Sequence, residues 1–143
     1  VRRSEPRGFR RPAAGRVSQG YGCQRVGKRK ANRSRCTRFH DGIDIATARG
    51  APVRAAASGY VAYVGWNPWD RGRRAFVVII GHARGFETIY AHLRPVRRVR
   101  AGQHVRRGQA IGVVGLTGRT SGAHVHWEVS RGFRTMDPRR AGR

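Results

Sequence analysis

The chain is short of acidic residues, of lysine, of cysteine and of long apolar runs, and each shortage excludes something. Seven Asp and Glu stand against 31 Lys and Arg, and only Lys28 and Lys30 among the basic residues are lysines. The net charge of +24 says much about partners and little about fold. It favours nucleic acid, an anionic membrane surface or an anionic cell wall. The longest apolar stretch, 76–80 (FVVII), is the length of a strand, far below the roughly 20 residues a bilayer crossing needs. No segment of about a dozen residues carries a 3.6-residue apolar period, so few or no helices are expected. What is present excludes other classes. With 38% hydrophobic residues and 20 glycines lacking a Gly-x-y period, the chain is neither a disordered tail nor collagen-like. Its 143 residues set one domain as the expectation.

Residues 1–15 (VRRSEPRGFRRPAAG) carry five arginines and two prolines with little apolar periodicity. They read as a basic N-terminal arm or linker. From residue 16 onward short apolar runs are cut by glycines. RVSQGYG at 16–22 reads as a strand ending in a turn, and 23–38, cationic and bracketed by cysteines, as a surface loop. FHDGIDIA at 39–46 reads as extended. In PVRAAASGYVAYVGW at 52–66, Gly59 and the β-rich run after it outweigh the alanines at 55–57, favouring strand over helix. RAFVVIIGHARGFETIYAHL at 74–93 reads as two strands turning near 83–85, GQHVRRGQAIGVVG at 102–115 as another pair, and HVHWEVS at 124–130 as the last strong strand. The succession predicts an all-β antiparallel sandwich or barrel, with 16–138 as the folded domain and 139–143 as a C-terminal tail.

His124 and His126 lie two apart in a predicted strand, so both imidazoles project from one face while Val125 and Trp127 take the other. His40 and Asp44 flank Gly42 in HDGID. Extended backbone there would place both on one face, with Gly42 leaving room for a close approach. Two histidines and a carboxylate form a ligand set suited to catalytic Zn²⁺: three protein ligands and one position open to water. Each half alone is a weak signal. With His92 at the end of IYAHL they allow two readings, a metal pocket or an ordinary set of strand histidines.

HDGID (40–44), YAHL (90–93) and GLTGRTSGAHVHWEV (115–129), in that order, resemble the lysostaphin/LytM-type zinc metalloendopeptidases, which cut peptidoglycan peptides. GAPVRAAASGYVAYVGW and GQHVRRGQAIGVVG are similar to that family's connecting strands, so the resemblance covers about residues 16–138. It implies an antiparallel sheet or sandwich of LytM type, similar to a duplicated hybrid motif, with a groove over the sheet. It implies one Zn²⁺ per chain on His40, Asp44 and His126, and catalytic roles for His92 and His124. A metal-activated water would attack a peptide carbonyl. One of the two catalytic histidines would accept its proton and the other would hydrogen-bond the oxyanion or leaving amine. Ala123 and Val125 stand where the family commonly has proline and leucine; both are packing positions. The loop at 23–38 is longer and more basic than the family leads one to expect, which bears on substrate choice. The implied activity is hydrolysis in the stem or cross-bridge of bacterial peptidoglycan. A non-catalytic cell-wall-binding or regulatory module of the same fold is the alternative. A basic nucleic-acid-binding β-domain would leave the co-facing histidines unexplained.

Glu128 continues the face of His124 and His126. It could accept a ligand's N–H, but an ion pair with one of the many arginines is the reading preferred. His82 reads as a turn or strand-end residue, His104 as surface, and Tyr90 as a half-buried strand tyrosine. Trp66 and Trp69 read either as groove lining or as a cap on the core. Cys23 and Cys36 would close a loop for which a disulfide contributes ~3 kcal/mol. A disulfide is favoured over two free thiols, with a second metal site a weaker alternative. The basic surface is expected to meet anionic wall polymers or an outer-membrane surface, with no specific nucleic acid: only Phe9 and Tyr21 lie among or beside the arginines of 1–15 and 23–38. The expected setting is a secreted monomer in the cell wall, periplasm or medium, with its signal segment absent from this sequence and no transmembrane segment.

Overall fold

The computed structural model describes residues 8–24, 36 and 38–142. Its strands in chain order are β1 (Arg16–Gln19), β2 (Gly22–Cys23), β3 (Phe39–His40), β4 (Ile43–Ala46), β5 (Pro52–Arg54) and β6 (Gly59–Trp66). They continue with β7 (Phe76–Gly81), β8 (Phe86–Leu93), β9 (His104–Val105), β10 (Ala110–Val113), β11 (His124–Arg131) and β12 (Arg134–Met136). A single 3₁₀ turn, Ala83–Gly85, joins β7 to β8 and is the one helical element among the described residues. The all-β, antiparallel architecture is thus the one the glycine-cut apolar runs predict. One eight-stranded sheet runs β1-β4-β11-β8-β7-β6-β9, with β12 added on β11; β5–β10 and β2–β3 form two small ribbons.

β7 shows why the sheet stands at the centre of the molecule. Its FVVII run is buried throughout, so both of its faces are covered. Phe76, Val78 and Ile80 join the main core with Ile43, Ile45, Tyr90, Val125 and Trp127. Val77 and Ile79 point the other way and form a second cluster with Ala75 and Ala91. The main core fastens the strands together; the smaller cluster floors the groove described below.

Three expectations need correction. First, 102–115 is not a hairpin. β9 pairs with β6, and β10 pairs with β5, because the glycine turns around 102 and 108 send the two segments to different sheets. Second, a further strand follows HVHWEVS: β12 folds back on β11 through Gly132 and Phe133, both at positive φ. Third, residues 8–15 are not a free arm, nor 139–142 a free tail. Gly8 N–H donates to Gly142 O (3.2 Å), Arg10 N–H to Ala56 O (2.8 Å) and Arg54 N–H to Pro12 O (2.7 Å). Ala13 and Ala141 are buried in the core, and Phe9 packs edge-on against Phe86 and His82. A few apolar side chains suffice to dock a segment whose composition is otherwise that of a linker. Residues 1–7 and 143 lie outside the described residues, as does most of the 23–38 loop.

Candidate metal centre and active-site groove

The centre is assembled by strand register. β4 and β11 are antiparallel neighbours, with Asp44 directly opposite His126 and Ile43 opposite Trp127. Paired residues share a face, so the carboxylate and the imidazole meet while Ile43 and Trp127 go to the core. His40 arrives differently from the expected continuous extended segment. The chain bends at Asp41 and Gly42, between β3 and β4. A Cβ on Gly42 would lie 2.3 Å from Trp127 O, so only glycine lets the bend press against β11. The bend folds His40 back over Asp44.

The resulting distances are short. His126 Nδ1 lies 2.9 Å from Asp44 Oδ1, and His40 Nε2 lies 3.3 Å from that oxygen and 3.2 Å from His126 Nδ1. One ligand atom from each residue falls within 4.8 Å of the others. The far nitrogens fix the ring orientations. His40 Nδ1–H donates to Gly20 O (2.8 Å), and His126 Nε2–H donates to Glu128 Oε1 (2.9 Å). With those protons committed outward, two imidazole lone pairs and a carboxylate oxygen converge on one point. Such a convergence calls for a cation. The separations match the edge of a tetrahedron, about 3.3 Å for metal–ligand bonds of roughly 2.0–2.1 Å, so the donor set fits Zn²⁺. Burial works to lower the pKa of His126, but hydrogen bonds to Asp44 and Glu128 outweigh it and raise it to about 9. Burial likewise opposes ionisation of Asp44, yet His126 and His40 hold its carboxyl well below the usual carboxylate range.

Glu128 therefore corrects an expectation: its partner is His126, two residues away on the same strand face, and not an arginine. The carboxylate backs a would-be ligand.

His92 reaches the centre by breaking strand alternation. Ala91 pairs with His126, so regular alternation would send residue 92 to the core face. Instead β8 carries an extra residue against β7 between the Phe76–Leu93 and Val78–Tyr90 pairs, and His92 sits at φ 67°. The bulge turns its ring onto the groove face and returns Leu93 to the core. His92 Nδ1–H donates to Thr117 O (2.7 Å), leaving Nε2 as the free nitrogen. Burial lowers its pKa, which favours the neutral ring. His124 is held similarly, its Nδ1–H donating to Gly122 O (2.8 Å), and its Nε2 stands 3.7 Å from Asp44 Oδ1. The His92 and His124 ring centres are 4.7 Å apart.

A groove of about 370 Å³ runs over this face, floored by Val77, Ile79 and Ala91, with Trp69, His92 and His126 on its walls. Trp69 is 77% exposed and lines the groove, whereas Trp66 packs edge-on to Phe76. Tyr90 is fully buried, not half-buried: its hydroxyl accepts Ala56 N–H (2.9 Å) and bonds Thr88 Oγ1 (2.8 Å). His82 completes that network through Thr88 and lies away from the centre, and His104 is exposed. Two participants escaped sequence reasoning. Thr117 carries the carbonyl that orients His92, and its hydroxyl also accepts Phe76 N–H. Gly20 orients His40 through its backbone, which leaves no side-chain signal. The β2–β3 ribbon holds Gly20 in place, and Cys23 at its end is disulfide-bonded to Cys36.

An antiparallel sheet bearing two histidines and an aspartate around a cation-sized gap, with two more histidines beside a groove, defines a metallohydrolase-type site. The sequence profile described as Peptidase family M23 matches residues 38–138. The chain is 41% identical over 101 residues to DD-carboxypeptidase/endopeptidase Mpg of Neisseria meningitidis, covering 71% of this chain and 22% of that protein. It is 38% identical over 102 residues to peptidoglycan DD-endopeptidase ShyB of Vibrio cholerae, covering 71% and 23%. It superposes on a zinc-containing peptidase from Vibrio cholerae with a TM-score of 0.72 and 33% identity, covering 97% of this chain and 40% of that one. The chain belongs to peptidase family M23, the family of the lysostaphin-type enzymes. It spans about a fifth of the length of the curated relatives it matches.

Proposed function

We propose that this domain is a zinc-dependent endopeptidase hydrolysing peptide bonds in the stem or cross-bridge of bacterial peptidoglycan, outside the cytoplasm. The observation that carries this is the convergence of His40 Nε2, Asp44 Oδ1 and His126 Nδ1, with His92 lining the groove beside them and His124 packed against His92 and Asp44. The printed names of the relatives, a DD-carboxypeptidase/endopeptidase and a peptidoglycan DD-endopeptidase, support the bond type and the substrate.

In this reading His40, Asp44 and His126 hold the zinc, and Glu128 and Gly20 O keep the two ligand rings in the right tautomer. Bound zinc supplies an activated water and Lewis-acid polarisation of the scissile carbonyl. The protein's own groups do the rest. The apolar floor and Trp69 seat an extended peptide and exclude bulk water. His92 and His124, each with Nδ1–H tied to a backbone carbonyl, work through Nε2. One, neutral, accepts a proton at Nε2 as the nucleophile forms; the other, doubly protonated, donates its Nε2–H to the oxyanion or the leaving amine. A histidine suits both tasks because its ordinary pKa of about 6.5 permits exchange near neutrality.

The test separates ligands from proton carriers. His40→Ala and Asp44→Ala should lose zinc and hydrolysis together, measured by elemental analysis and release of soluble peptides from purified wall. His124→Ala should keep most of the zinc and lose hydrolysis. An empty His124→Ala site would exchange the two assignments, and a zinc-loaded, inactive wild type would favour a wall-binding module.

A further inference from the structure

A second cleft, sharing no residue with the groove, lies where the N-terminal segment crosses β5. It holds about 500 Å³ and is lined by Arg10, Arg11 and Arg54 together with Pro12, Ala13 and Pro52. Backbone pairing fixes two of the arginines, with Arg11 between the bonded positions: Arg10 N–H donates to Ala56 O and Arg54 N–H to Pro12 O, which laces the segment to β5. Two of the guanidinium groups then converge on one turn. Arg54 Nη1 donates to Gly108 O (3.2 Å), and Arg10 Nη1 lies over Gly108 so closely that a Cβ there would come within 2.7 Å of it. Gly108 has φ +85°, so glycine is needed for the turn as well as for the approach.

Among the described residues no carboxylate is paired with this cluster. Arg11 Nη1 bonds a carbonyl, Gly15 O (2.7 Å), as Arg54 does. Among the described residues the arginine–carboxylate ion pair is that of Arg139 with Asp137. Asp44 and Glu128 are engaged by His126, and Asp70 by Asn67 and Ala75 N–H. Like charges gathered on rigid backbone repel, and an anion between them relieves that repulsion. Each guanidinium offers five N–H donors in a planar fork, of which Arg11 and Arg54 each spend one on a carbonyl among the described residues, and that fork matches the oxygens of a phosphate better than a lysine does. The proline and alanine walls leave apolar room beside the charges for the carbon skeleton of an ester.

We propose that the Arg10–Arg11–Arg54 cleft is a binding site for a phosphate group, a phosphomonoester or phosphodiester of an anionic polymer or lipid headgroup. It anchors the domain at a point separate from the groove. The proposal is independent of the zinc chemistry, since it uses no residue of that centre.

The full chain is titrated with inorganic phosphate at ionic strength held constant with chloride, following backbone amides by NMR. In parallel it is cosedimented with phosphatidylcholine vesicles containing phosphatidylglycerol. Saturable shifts centred on residues 10–15, 54 and 108 are expected. Arg10→Gln/Arg54→Gln should weaken phosphate binding about tenfold or more, while Arg98→Gln/Arg100→Gln, an equal loss of exposed charge elsewhere, should change it less than about twofold. Arg10→Lys/Arg54→Lys, which keeps the charge and removes the fork, should fall between. The same ranking on vesicles assigns the site to a lipid phosphodiester; phosphate binding with no such ranking on vesicles assigns it to a soluble or polymer-borne phosphate. Equal weakening by the two Gln doubles, or shifts that never saturate, would show an undirected charge field and overturn the site.

Discussion

Glu128 offers a quantitative test of how the centre is built. Its Oε1 accepts His126 Nε2–H at 2.9 Å, which leaves Nδ1 as the lone pair facing Asp44 and His40. In Glu128→Ala that constraint is gone: the ring can shift its proton to Nδ1 or rotate, and either move withdraws a ligand. Loss of the carboxylate behind a ligating histidine typically weakens metal binding 10- to 100-fold, about 1.4–2.7 kcal/mol. Both side chains are partly solvated, at 17% and 22% exposure, so water can replace part of the lost acceptor. The lower part of that range, about 10- to 30-fold, is therefore expected. Glu128→Gln retains an acceptor oxygen and should stay within about threefold of wild type. The assay is competition for zinc against a fluorescent chelator near neutral pH, with far-ultraviolet circular dichroism checking the fold. Wild-type affinity in Glu128→Ala would refute the reasoning, because the contact would then be incidental. Equal losses in Ala and Gln variants would move the cause from ring orientation to charge.

Other expectations follow from the same geometry. Thr117→Gly removes the hydroxyl between Leu93 O and Phe76 N–H and loosens the carbonyl that orients His92. Hydrolysis should fall with zinc affinity nearly unchanged; parallel loss of both would contradict a role directed at His92. Tyr90→Phe strands Ala56 N–H and a bond to Thr88 in the core, and should cost about 1–3 kcal/mol in urea unfolding. Reducing the Cys23–Cys36 bond should cost ~3 kcal/mol and also weaken zinc binding, since the β2–β3 ribbon positions Gly20 O against His40. A drop in melting temperature without any change in affinity would uncouple the two. Burial lowers the pKa of His82, whose Nδ1–H donates to Ser58 O and whose Nε2 accepts from Thr88. The folded state therefore resists a proton that the unfolded chain takes up near pH 6.5. Its contribution is complete above that pH and is lost as pH falls, so unfolding free energy should decline more steeply below pH 6.5 in wild type than in His82→Gln.

The sequence made the strands and most of the centre legible, for identifiable reasons. H-x-H on a β-strand needs only period-two alternation to put His124 and His126 on one face, and Asp44 follows once β4 pairs with β11. What alternation cannot supply is the exceptions. His92 reaches the groove through a bulge at positive φ, a backbone event that IYAHL does not announce. His40 arrives through a bend that depends on Gly42 touching Trp127 O, where an uninterrupted strand was expected. Glu128 looked like one more partner for a surplus of arginines; its register beside His126 decided otherwise. Residues 8–15 misled through composition, because Pro12, two arginines and two glycines obscure the anchoring by Phe9 and Ala13. Long-range pairing of β9 and β10 was out of reach for the same kind of reason: local turns mark where strands end and leave open which neighbour they choose.

The most direct test of the central claim is mass spectrometry of purified peptidoglycan digested by the protein. The zinc-loaded protein should release fragments newly cut within stem peptides or cross-bridges, with the glycan strands intact. A chelator should abolish those fragments, and added zinc should restore them. Fragments that persist through chelation, or a zinc-loaded protein that leaves every peptide bond uncut, would contradict the account.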